Sequence, residues 1–403
     1  ATDITQLNTS STVYYLQEAE RGRFEVYFGD GVVSKALTNG NIVILSYVVT
    51  NKGVANGVST FSAPTAIDGA TDIIVTTVSG AVGGAEAESV DSIKLNAPLN
   101  YSAQGRAVTT SDYEVYVKRL FPNTQSVSIW GGEDGSFDPS TGVSSTPEYG
   151  KVFISIKSTT GVDLTTTQKD NLVKDLAPYK VASVTPVIVN AETTELILGV
   201  TFNYDSSSTT STGAELASLV NSTLQNFNTS DLQNFNSPFR HSKVLRLIDE
   251  TDSSILNNTT TVTMAKKFTP TLSSATSYNI NFNNKFYNPV SGYNAAAGGI
   301  IASTGFYLNG VTTIEYFFDD DGSGNLRLYY LVSGVRTYTN NTAGTIDYTN
   351  GTIKINSITI TGVANVDDVT SSQIRITAIP NSNDVIPVRN QILEIDFVNS
   401  TIT

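Results

Sequence analysis

Short runs of β-branched and aromatic residues, parted by glycine-bearing turns, recur along this 403-residue chain and constrain its fold more than any other feature. Phe24–Phe28 is followed at once by Gly29, Asp30 and Gly31, and Ile42–Val49 follows Asn39 and Gly40. Glycine enters positive φ without steric cost, so such pairs bend the chain between strands. β-branched and aromatic side chains fit a pleated, half-buried surface. Charged residues are sparse and Asn, Thr and Ser are plentiful, which suits many strands with polar turns better than a helical bundle. Apolar content is ordinary, so the chain can bury cores, and its length exceeds what one core serves; two to four domains are expected.

Helix signals concentrate in the middle. Glu86 to Leu95 reads as a helix ended by Pro98. Thr109 and Asp112 have capping-box spacing, as do Thr165 and Gln168, and Thr212 and Glu215. After Thr212, Leu216, Leu219, Val220, Leu224 and Phe227 share one helical face. Ser237 and Pro238 read as the start of a further helix. Asp72–Val78 reads as a strand. From about residue 269 helix signals vanish, and Asn350-Gly351 marks a hairpin.

These signals predict an α+β, predominantly β, multidomain fold. The expected parts are a β-rich segment 1–108, a short helix, strand and surface loop 109–150, an α/β open-sheet unit 151–268 with helices on one face, and an all-β region 269–403. The chain opens at Ala1 and its one methionine is Met264, which reads as a piece of a longer or processed protein.

The chemistry available is limited. There are 24 basic and 37 acidic residues, a net charge of −13, and no basic block. Neither duplex nucleic acid nor an anionic membrane is an expected partner, because both demand phosphate neutralisation. No apolar run approaches the ~20 residues of a membrane span. The absence of cysteine removes thiolate nucleophiles and Cys-type zinc sites. The single histidine, His241, lies between Arg240 and Ser242 near a helix start, where a solvated or capping role fits better than catalysis.

Asp319, Asp321 and Ser323 take calcium-loop positions, but Tyr330 stands where a bidentate Glu is required, so a hairpin turn is the simpler reading. Glu133, Asp134 and Asp138 crowd one Gly/Ser/Pro-rich loop, 131–147, and read as a solvated turn in preference to a glycosidase pair. Gly80–Gly84 lacks dinucleotide-loop spacing. The aromatic-rich hairpin 316–331 allows stacking on sugars, with cross-strand packing the commoner use. No catalytic, cofactor or metal residue is assigned, and no enzyme is expected.

Phe24–Gly31, Asn39-Gly40, Ile42–Val48 and Gly53–Gly57 resemble the baseplate J-like family of contractile-tail phages. The resemblance continues through Gly83-Gly84, Glu86 and Glu88, Ala97-Pro98, Gly105–Thr109 and Asp112-Tyr113, and covers roughly 12–268. The Asn/Thr-rich character and the appended β region are most similar to the baseplate wedge subunits of T-even-type phages. That resemblance implies a structural part of the virion tail, assembled in the host cytoplasm, without cofactor. It would form dimers and a ring of copies around the hub, contact other baseplate wedge proteins, and rearrange on sheath contraction. On this reading 269–403 and the 131–147 loop make the contacts, and 151–268 is scaffold. A receptor-binding or adhesin-like tail module is the alternative, and a tail glycosidase comes last.

Overall fold

The computed structural model describes residues 7–19, 23–49, 51–62, 68, 74–77, 80–81, 84, 86–134, 147–159, 163–293, 299–365 and 371–403. Two compact units separate at residue 51.

Among its described residues, unit 1, Ala1–Asn51, contains one antiparallel strand pair, β1 (Tyr14–Ala19) with β2 (Arg23–Phe28). The Gly29–Gly31 bend behaves as its residues dictate. Gly31 has φ +86°, and Asp30 Oδ1 accepts from the Val32 and Val33 amides at 2.8 and 3.0 Å. A Cβ on Gly29 would stand 2.2 Å from Ser34 Oγ, and Ser34 is fully buried. The strand expected over Ile42–Val49 does not form; these residues are exposed and pair with no strand among the described residues.

Unit 2, Lys52–Thr403, opens on a 3₁₀ turn at Lys52–Ala55 and carries α1 (Val90–Ala103) and α2 (Thr110–Leu120) after it. Pro98 does not end α1 but sits inside it, and the helix runs on to an αL cap at Gln104. Within the strand expected over Asp72–Val78, residues 74–77 are not in a strand, and the rest lie outside the described residues. All three capping boxes form. Thr109 caps α2, Thr165 caps α3 (Thr166–Leu176) and Thr212 caps α4 (Gly213–Phe227), each with reciprocal bonds to the residue three along.

A three-stranded sheet joins β3 (Thr124–Gly131), β4 (Lys151–Ser158) and β5 (Thr185–Val189), with β3–β4 antiparallel and β4–β5 parallel. Its core gathers Tyr113, Tyr116, Val117, Ile154, Leu172 and Leu176.

The second sheet starts at β6 (Glu192–Tyr204), which pairs antiparallel with β7 (Ile255–Phe268). Between them lie α4, one π turn at Asn228–Leu232, and α5 (His241–Asp249). Pro238 does not open α5. Phe239 bridges Val385 and is fully buried, so the helix waits until Arg240 has made the turn.

The rest are β8 (Ala275–Asn281), β9 (Ile301–Ser303), β10 (Phe306–Leu308), β11 (Val311–Asp320), β12 (Asn325–Val332), β13 (Val335–Asp347), β14 (Thr352–Val363), β15 (Ile374–Ala378), β16 (Gln391–Ile395) and β17 (Thr401–Ile402). The order is β10-β14-β13-β12-β11-β9-β15-β7-β6-β16, with β17 also on β6 and β8 on β14. An added β10–β11 pairing closes β10–β14 into a barrel.

The expectation of one open sheet over 151–268 is thus replaced by two sheets, with β4 and β5 in one and β6 and β7 in the other. Strand pairing also runs across residue 268, because β15 takes the free edge of β7 and β16 the free edge of β6. The physical reason is that β6 alternates Leu196, Leu198, Val200 and Phe202 into a core that α4 and α5 cover. That core continues without a break into Phe306, Phe318, Leu326, Ile355 and Ile360 of the barrel.

Candidate assembly surfaces

His241 and the three aspartates Asp319, Asp320 and Asp321, which raised chemical questions in the sequence, are held by structural partners. His241 opens α5; its amide donates to Asp384 Oδ1 at 2.8 Å, and its Nε2 lies 2.8 Å from the Thr260 carbonyl. Glu133 and Asp134 form a short 3₁₀ turn after β3, and Asp138 lies outside the described residues, as does most of the 131–147 loop. Among the described residues no group of three or more His, Asp or Glu is arranged to hold a metal ion.

The three consecutive aspartates at the end of β11 have three separate tasks. Asp319, 1% exposed, accepts from Arg327 Nε at 2.9 Å, Arg336 Nη1 at 2.8 Å and the Tyr338 hydroxyl at 2.8 Å. Asp320 turns to the opposite face, where Oδ1 accepts from the Ile300 and Ile301 amides at 2.9 Å and Oδ2 from the Tyr348 hydroxyl at 2.7 Å. Burial, followed by the bond to Asp320, pushes the Tyr348 phenol strongly upward, so it remains a donor. Asp321 closes the turn by accepting from the Ser323 and Asn325 amides. Burial pushes its carboxyl up, but the bonds from Asn325 and Ser323 outweigh this and hold it below the usual range. The calcium-like spacing is therefore spent on a hairpin, with the carboxylates turned to different partners.

The aromatic hairpin is likewise internally committed. Tyr316 faces Tyr330 at 5.8 Å, and Phe317 stacks on Tyr329 at 5.6 Å. Arg336 lies over the Tyr329 ring at 4.9 Å and Arg327 over Tyr338 at 4.3 Å. Cation–π contacts of this kind fix both ring and guanidinium. Tyr329 is buried, so this ladder presents no open stacking face at that ring.

Apolar surface appears instead at one end of the barrel. The β10–β11 and β12–β13 loops are each two residues, Asn309-Gly310 (φ +54°, +71°) and Ser333-Gly334 (φ +49°, +81°). Positive φ at both positions is the tight hairpin geometry that matches strand twist. No atom lies within 4 Å of a Cβ built on either glycine, so backbone conformation and not space selects them. Because β11 and β12 are antiparallel neighbours, the two tips lie at the same end of the barrel. They expose Val311, Ile314, Leu331, Val332 and Val335, the last by 67%. Sequence reading identified neither of these two turns nor this patch, since alternation alone does not tell a solvent-facing valine at a strand end from a buried one.

Residues 109–189 match the family described as baseplate structural protein gp6, C-terminal domain I, and residues 196–267 match its C-terminal domain III. A curated relative, baseplate wedge protein gp6 of Enterobacteria phage T4, is 26% identical over 285 residues, covering 64% of this chain and 41% of that protein. These matches do not confirm the J-like label, most of whose carrying residues precede residue 109. The chain is therefore similar to a baseplate structural protein across its small sheet and the α4–α5 layer, and it spans about two fifths of the curated relative it matches.

Proposed function

We propose that this chain is a structural subunit of a phage tail baseplate wedge, located in the virion tail. It self-associates, meets other wedge proteins and carries out no catalysis. The observation that carries this reading is the consecutive likeness of 109–189 and 196–267 to gp6 C-terminal domains I and III. The apolar hairpin tips at Val311, Ile314, Leu331, Val332 and Val335 support a self-contact within 269–403, because exposed contiguous apolar patches mark interaction sites. The 131–147 loop contributes a second contact, and 151–268 is scaffold.

The test is light scattering on the full chain, with co-purification against neighbouring wedge proteins. The unsubstituted chain should be dimeric or larger and should capture wedge partners. Val332→Asp with Val335→Asp should reduce the mass to that of a monomer while melting stays within a few degrees, as both side chains are exposed. A chain that is monomeric at high concentration and ignores every tail component overturns the proposal.

A further inference from the structure

The two sheets of unit 2 carry separate cores. One includes Ala103, Tyr116, Ile154 and Leu176; the other includes Leu196, Leu224, Met264 and Ile395, and no residue belongs to both. No strand of one sheet pairs with a strand of the other among the described residues. β5 ends at Val189 and β6 begins at Glu192, so the chain passes between the two bodies through Asn190 and Ala191. The two gp6 domain matches break across the same place, at 189 and 196.

Side chains bridge this joint. Gln125 Nε2, on β3, donates to the Gln233 carbonyl at 3.3 Å, and the Phe235 amide donates to Ser126 Oγ at 3.1 Å. Gln233 is anchored on the far side, where its Nε2 donates to Glu394 Oε1 of β16 at 2.7 Å. Asn190 is held from both bodies: Lys169 Nζ of α3 donates to its Oδ1 at 2.5 Å, and Asn390 Nδ2 donates to its carbonyl at 3.1 Å. Water can replace each partner in bonds of this kind, whereas a shared apolar core would not part without exposing its surface; the apolar group at the latch itself is Phe235, 7% exposed and outside both cores.

We propose that Asn190-Ala191 is a pivot about which the body 103–189 turns against the body 192–403, latched by the Gln125–Gln233 and Ser126–Phe235 bonds. The subunit then has two arrangements of rigid bodies, biased by whatever neighbour favours one of them. The pivot does not depend on the wedge reading, and its failure would leave that reading untouched.

The chain has no cysteine, so two introduced cysteines are unique labelling sites. Spin labels at Asp170→Cys on α3 and Ser222→Cys on α4, both exposed, report the distance between the bodies by pulsed electron paramagnetic resonance. In the otherwise unsubstituted chain the latched distance should dominate. Gln125→Ala with Ser126→Ala should raise a second, distinct distance, by roughly fivefold for each bond removed. A distribution left unchanged by both substitutions overturns the pivot. If the double variant loses its folded circular dichroism, Gln125→Ala alone gives the same readout.

Discussion

Residues 42–49 and strand β6 carry much the same strand-forming composition and meet opposite fates. Leu196 and Leu198 of β6 are fully buried, and the strand is paired by β7 on one edge and by β16 and β17 on the other. Ile42, Ile44 and Tyr47 are more than 80% exposed in a segment that pairs with nothing among the described residues. β6 alternates, so it has one face to bury; residues 42–49 are apolar at both parities and have no single face. β propensity is a statement about fit to a neighbouring surface, and a segment without that surface stays unpaired and bare.

The comparison fails if burial is not what separates the two regions, and the largest effect should come from the barrel. Asp319→Ala removes the carboxylate from a buried Arg327 and should cost about 3–5 kcal/mol in chemical denaturation. Next, Leu198→Ala in β6 should cost about 3 kcal/mol, while Ile44→Ala should stay within about 0.5 kcal/mol. Equal losses would erase the distinction. Thr212→Ala, which breaks the α4 capping box beside β6, should cost about 1 kcal/mol.

The smallest effect concerns Asp205, just after β6. Bonds from the Ser207 and Ser208 hydroxyls and the Ser207 amide lower its pKa from 3.8 to about 2. A depressed carboxyl stabilises the fold above its ordinary value and loses that contribution as pH falls through the folded one. The stability gap between the native chain and Asp205→Asn should therefore be present at pH 5 and shrink away between about pH 4 and 2, as followed by thermal melts.

Local signals were legible where local physics decides. The capping boxes at Thr109, Thr165 and Thr212 formed as read, as did the hairpin at Gly351, φ +67°. The signals misled where tertiary packing decides. Pro98 was accommodated inside α1, and Phe239 delayed α5 by inserting into the core. The division of 151–268 between two sheets could not be read, because strand partners separated by more than a hundred residues, such as Leu196 and Ile395, leave no local trace. By the same pairing, loss of 269–403 would strip β15, β16 and β17 from β7 and β6. The apolar tips were hidden for a simpler reason, since the identity of Val332 does not encode its exposure.

The last strand carries a mechanical consequence. β16 and β17 both lie parallel to β6, and the Thr403 amide donates to the Val200 carbonyl while the Phe202 amide donates to the Thr403 carbonyl. A pull drawing the tail end and β6 apart along their common axis loads these bonds together, in shear. The same pull on a hairpin would peel them one at a time. The parallel pairing of β16 and β17 with β6 therefore resists such a pull better than a hairpin would.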